Sequence, residues 1–264
     1  MTTPRRPKQQ TFDDYRRHTG WGGPRPGAGR KPASKRPPVH HVRRPPVPGH
    51  CPSHVTLRVR RGLPSLRTQP FLKEFRRSLR QACERGEFRV VHYSVQRDHV
   101  HLLVESAGKQ ALGKGMKAIG SRLARAVNRV FRRSGTALHG RYHLRILRTP
   151  REVRNALAYV LLNARKHWRE RHGAAPPLRL DEASSARWFY GWKYPFRAPL
   201  LRGLPEIAGP RTWLLAEGWR RHGLVDPAEV PGSSGARAGG ARPHRGGSGS
   251  TPEGASSSKG FREP

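Results

Sequence analysis

Cysteine, methionine and acidic side chains are scarce in this chain: among 264 residues there are two Cys, two Met and 17 Asp and Glu. Cys51 and Cys83 do not form a C-x-x-C pair, which excludes a zinc ribbon or a disulfide framework and leaves two plain thiols. No run approaches the roughly 18 uninterrupted apolar residues that cross a bilayer. The opening MTTPRRPKQQTF lacks the apolar stretch of a secretory signal, so a cytoplasmic location is expected. Internal repeats and a G-x-x-x-x-G-K-[ST] phosphate loop are also missing. The shortage of acid is the most informative of these. Against the 17 acidic residues stand 53 Lys and Arg, a formal net charge of +36, and an excess of that size is easiest to explain if the partner is a polyanion, of which nucleic acid is the commonest.

The 29 Gly and 25 Pro concentrate toward the ends and divide the chain. Residues 1–50 read as a basic arm too poor in apolar groups to fold alone, with Arg25, Arg30, Lys31, Lys35 and Arg36 placed to lie along a DNA groove. Residues 51–200 read as one globular domain, 201–230 as a helical extension carrying Trp213 and Trp219, and 231–264 as a Gly/Ser-rich tail. The domain holds 32 Lys and Arg against 9 Asp and Glu, so +23 of the charge belongs to it and not to the tails.

Within the domain, HVTLRVR at 54–60 alternates as a strand with one buried face. Phe71, Leu72, Phe75, Leu79 and Ala82 recur at helical spacing, with Gly86 as a plausible stop. Residues 87–106 give two strands joined near Gln96 to Asp98, and 110–133 give an amphipathic helix with Lys114, Arg125, Arg129 and Arg132 on its polar side. A strand over 141–148 and a helix from Pro150 to His172, ended by Gly173, complete the order. This βαββαβ pattern with one further helix predicts an α+β, ferredoxin-like antiparallel sheet with helices on one face.

His99 and His101 flank Val100 in the third strand, so both imidazoles leave one face about 6 to 7 Å apart, within reach of a single cation. The spacing fits two solvated or core-edge histidines equally well. On the last helix, Val153, Leu157, Val160, Leu161, Ala164 and Trp168 form an apolar stripe, and Tyr159 lies opposite it with Asn155, Asn163 and Lys166. Asn163 is one turn beyond Tyr159 and is expected to point the same way. Tyr93, Tyr142, Tyr190 and Tyr194 have no such carboxamide neighbour at helical spacing, which favours Tyr159 as the reactive tyrosine.

The run RDHVHLLVES, followed about sixty residues later by ALAYVLLNARKH, resembles the single-tyrosine HUH transposases of the insertion-sequence-200-like group. GGPRPGAGRKP, HVTLRVRRGLPSLR and SSARWFYGW resemble more closely its REP-associated tyrosine transposase branch, bacterial proteins linked to short palindromic repeats. The resemblance, over roughly residues 20–195, implies Tyr159 as nucleophile and His99 and His101 as ligands of a divalent metal, magnesium or manganese. It implies Asn163 as a third ligand. Ala164 stands where the family often has Pro, and Asp98 where it usually has Asn, which makes Asp98 a candidate accessory ligand.

The implied chemistry is cleavage and rejoining of single-stranded, hairpin-containing DNA through a 5′-phosphotyrosine. A metal on the histidines would draw charge from the phosphate, and Lys166 or the metal would assist a phenol whose unperturbed pKa is about 10. Arg141, Arg145 and Arg148, with Arg125 and Arg129, are the expected DNA contacts inside the domain. A rolling-circle initiator or relaxase with the same chemistry, and a non-catalytic DNA-binding descendant, are the alternative readings. The expected setting is the bacterial nucleoid, as a monomer or homodimer.

Overall fold

The structure is a computed structural model that describes residues 44–174, 176–194 and 204–232. Strand β1 spans Ser53–Arg58, helix α1 Gln69–Arg80, β2 Glu84–Arg85, β3 Phe88–Val95 and β4 His99–Ser106. Helix α2 spans Lys109–Val130, β5 His143–Ile146, α3 Pro150–Leu161, α4 Asn163–His172 and α5 Trp213–Ala216. The sheet order is β2-β3-β4-β1-β5 and every pairing is antiparallel. Without the two-residue β2, the four main strands have the ferredoxin-like arrangement that the βαββαβ order predicts, and the fold is α+β.

Alternation along the strands separates two layers. Val55, Leu57, Val100, Leu102 and Val104 point to one face, where they meet Phe71, Phe75 and Leu79 of α1 and Leu112, Ile119 and Leu123 of α2. Each such side chain contributes roughly 1.5–3 kcal/mol when fully buried, so this layer supplies much of the driving force for folding. Helix α2 approaches the sheet closely because residue 115 is glycine. A Cβ at Gly115 would fall inside the ring of Phe88.

The other face differs from expectation. It is not left open: α3 covers it, with Val153, Leu157, Val160 and Leu161 packing on Val91 and Leu103 of the sheet and on Leu214, Leu215 and Trp219 of the C-terminal extension. That extension is a short α5 followed by a 3₁₀ turn at Gly218–His222. Two buried carboxylates secure it. Glu206 accepts from Tyr93 Oη (2.6 Å), Arg187 (2.7 Å) and Trp188 Nε1 (2.9 Å). Glu105 accepts from the Arg211 and Thr212 amides (2.8 Å each) and from Thr212 Oγ1 (2.7 Å).

Two boundaries also move. Gly86 does not stop α1, which ends at Arg80; with φ +55° it turns the β2–β3 hairpin instead, a left-handed position where glycine is unstrained. The helix expected from Pro150 to His172 breaks at Leu162 (φ −111°, ψ 15°), where the Arg165 amide bonds back to the Leu162 carbonyl at 2.9 Å in a tighter, 3₁₀-type step. Its outer ends behave as expected. Thr149 and Glu152 form a capping box, and Gly173 (φ +65°) caps α4. Among the described residues no helix is long and apolar enough to cross a membrane.

Candidate active site

The site is built on the second face, where β1 and β4 run side by side. Register pairs Thr56 with His101 and His54 with Leu103, so His54, Thr56, His99 and His101 share one patch. Helix α3 carries Tyr159 over that patch: the phenol ring centre lies 5.2 Å from that of His101 and 5.7 Å from that of His54. Lys166 of α4 places its ammonium 5.4 Å from the Tyr159 ring centre and also lies 3.6 Å from Glu170. The structure therefore gathers His99, His101, Tyr159 and Lys166 around one point.

The histidine nitrogens have distinct partners. His99 Nδ1 is 2.7 Å from Asp98 Oδ1; because a carboxylate only accepts, that nitrogen carries the proton. Asp98 thus orients His99. Burial opposes its ionisation, but the bond and charge of His99 and the Arg58 guanidinium hold its carboxyl below the usual range. His101 Nδ1 is 3.1 Å from both His54 Nε2 and Thr56 Oγ1. Burial, followed by the charges of His54, His99, His167 and Lys166, pushes His101 down to about 2, so its ring is neutral. Burial, with His143 and Arg145, likewise pushes His54 down to about 4.

These assignments leave the two Nε2 atoms of His99 and His101 facing each other at 3.0 Å. A His101 proton on Nε2 makes this contact a hydrogen bond, and a proton on Nδ1 leaves two lone pairs converging on one cation position. The donor set suits a divalent ion. Among the described residues no three His, Cys, Asp or Glu side chains gather at metal-binding distance, so further ligands would come from an amide, water or substrate. Asn163 carries an amide at the start of α4. It is fully buried, and neither its Oδ1 nor its Nδ2 has a hydrogen-bond partner among the described residues. The break at Leu162 tucks this side chain inward instead of leaving it exposed beside Asn155.

The other tyrosines are placed differently. Tyr93 is buried in the first layer and bonded to Glu206, and burial pushes its phenol up. Tyr142 packs against that layer, and Tyr190 is 86% exposed. Of the basic residues, Arg145 lies in register with His54, on the histidine face, and pairs with Glu152 at 3.2 Å. Arg141 and Arg148 are exposed on either side of β5. Arg125 and Arg129 ride on α2, across the sheet from the site, and Arg129 pairs with Glu74 at 2.6 Å. Arg30 and Lys31 lie outside the described residues.

Sequence reading missed His54 and Thr56. Their signal was an H-x-T with the same period of two as the H-x-H. SSARWFYGW acts in packing: Ser185 Oγ bonds the Tyr93 amide at 2.9 Å and His92 Nδ1 at 3.1 Å, and Phe189 joins the second core.

A family profile described as "Transposase IS200 like" matches residues 49–146, a span that includes β1 to β5 and both histidines and stops before α3. No curated protein matches the chain. A solved structure of a REP-associated tyrosine transposase bound to a REP hairpin aligns with 18% identity over 49% of this chain and 74% of that one, with a TM-score of 0.40. Over residues 49–146 the chain is similar to the IS200-like transposase family.

Proposed function

We propose that the protein is a nuclease and strand transferase that cuts and rejoins single-stranded, hairpin-flanked DNA through a covalent bond to Tyr159. The observation that carries this reading is the placement of the Tyr159 ring against His101 and His54, on the sheet face that also bears His99. A phosphodiester repels nucleophiles by its charge, and a tyrosine beside neutral imidazoles and a lysine ammonium meets the needs of attack on it.

His99 and His101, through Nε2, are the residues that would hold a magnesium or manganese ion, with Asn163 Oδ1 as a further ligand. Such an ion supplies Lewis-acid withdrawal of charge from a non-bridging phosphate oxygen. The remaining work falls to the chain. Asp98 and the His54–Thr56 pair fix the two imidazoles. Tyr159 Oη gives up its proton to water and attacks phosphorus in line, the new O–P bond replaces the bond to the 3′-oxygen, and that oxygen takes up a proton from water and leaves as a 3′-hydroxyl. A 5′-phosphotyrosine results, and a 3′-hydroxyl of another strand reverses the step without an external energy source. Lys166 Nζ lies 5.4 Å from the centre of the phenol ring.

Incubating the full chain with a hairpin-flanked single strand and manganese should give a protein–DNA adduct that survives SDS, and Tyr159→Phe should abolish it. An adduct of undiminished yield in that variant removes the assignment, and no adduct with wild type favours a non-catalytic DNA-binding role.

A further inference from the structure

A groove of about 680 Å³ adjoins His99. One wall is the β3–β4 turn with Arg97 and Asp98, another is α4 with His167, Trp168 and Arg171, and the segment 176–182 closes the third side. That segment is fixed in place. Arg165 of α4 donates to the Pro177 carbonyl at 2.8 Å, and Arg67 grips Asp181 with both terminal nitrogens (2.6 and 3.0 Å) while bonding the Val95 carbonyl at 2.9 Å. The groove is therefore formed before any ligand arrives, which lowers the ordering cost of binding.

Its charges are unevenly matched. Asp181 is taken by Arg67, Asp98 by His99 and Arg58, and Glu170 by His167 and Lys166. Glu182 bonds the Gln69 amide at 3.2 Å. Arg97 and Arg179 are exposed, and their guanidinium groups have no partner among the described residues, while Arg171 donates only to the His167 carbonyl at 3.2 Å. The floor between these cations is apolar, formed by Leu161, Leu162 and Leu180, with the half-buried Trp168 indole beside it.

We infer that this groove binds the single-stranded segment of the DNA next to the bond that is cut, with Arg97 and Arg179 on two successive phosphates and a base against Trp168. A cationic track beside an aromatic platform is the combination that single strands need, since every base has a face to stack and every residue a phosphate. A strand lying there runs directly to His99. The inference rests on the proposed function for its choice of DNA as ligand, and it assigns the strand to a side of the site that neither Arg145 nor the α2 arginines reach.

Fluorescence anisotropy, on full-length Tyr159→Phe protein with manganese, would compare a hairpin bearing a single-stranded flank with the same hairpin lacking it. The double variant Arg97→Ala/Arg179→Ala should bind the flanked hairpin at least about tenfold more weakly and lose about 1.4 from the slope of log affinity against log salt, about 0.7 per single-strand phosphate. Its affinity for the bare hairpin should not change. Trp168→Ala should weaken flanked binding by about tenfold without altering the slope, and Trp168→Phe should restore most of it. The charge-matched control Arg80→Ala/Arg85→Ala should have no effect. Unchanged flanked binding in the double variant overturns the inference, as does an equal loss on the bare hairpin or in the control. A flank-specific loss together with no SDS-stable adduct from wild type would uphold the groove while removing the catalytic reading.

Discussion

Along β4, Val100, Leu102 and Val104 enter the layer under α1 and α2, while His99, His101 and Glu105 alternate with them toward α3 and the C-terminal extension. The first layer is aliphatic and aromatic, and Tyr93 Oη within it is bonded to Glu206. The second layer buries His92, Ser94, Gln96, His101, Glu105 and Asn163, nearly all matched to a partner. Burying polar groups costs free energy even when they are paired, and a matched pair returns only about 0.5–1.5 kcal/mol net. One strand thus separates two environments by side-chain alternation: an apolar layer on one face, buried polar groups on the other.

The sharpest way to break that comparison is to truncate one residue on each face. Leu102→Ala should cost about 2–5 kcal/mol in denaturant unfolding, since Leu102 is fully buried and the surrounding layer cannot collapse around the void. A smaller cost, comparable to a surface substitution, would show that the first face is not the stabilising one.

On the opposite face, His54→Ala should lower manganese affinity, read by calorimetry, about 10–100-fold, because it removes a partner that orients His101. Its unfolding midpoint should move less than that of Leu102→Ala. His54→Gln, which keeps a hydrogen-bonding group near His101 Nδ1, should recover part of the affinity. Equal manganese binding by wild type and His54→Ala would show that His101 needs no support from β1.

The buried histidines also make the second face sensitive to acid. Burial pushes His92 down to about 3, so it stays neutral in the folded state while its unfolded counterpart takes up a proton near pH 6.5. Its full contribution is therefore present above pH 6.5 and is lost as the pH falls from there toward about 3. The slope from this group approaches about 1.4 kcal/mol per pH unit between those limits. Urea unfolding from pH 7 to pH 4 should show a steeper loss in wild type than in His92→Gln, and parallel curves would contradict the assignment.

Much of the architecture is legible from hydrophobic period alone. The strand alternation fixes the β3–β4 hairpin and puts His99 and His101 on one face, whereas the apolar stripe of α3 places Tyr159 opposite the packing side and the structure instead turns it, partly buried, onto the second core and the histidines. Contacts across strands are not legible. His54 and Thr56 are 47 and 45 residues from His101, and only the β1–β4 register makes them neighbours. A helical stripe gives a polar face without saying which side of the sheet the helix occupies, so Arg125 and Arg129 look equivalent to Arg145 until α2 is placed across the sheet. Neither Gly nor Pro marks the break at Leu162, and residues 176–182 have no periodicity to reveal the wall they form.

The central claim is that the second face delivers Tyr159 to a phosphodiester. Its most direct test is peptide mass spectrometry of the SDS-stable adduct formed by the full chain on hairpin-flanked single-stranded DNA with manganese. The account predicts one modified peptide, bearing a nucleotide through phosphate on Tyr159. A phosphotyrosine at Tyr142, Tyr190 or Tyr194, with Tyr159 unmodified, would contradict it.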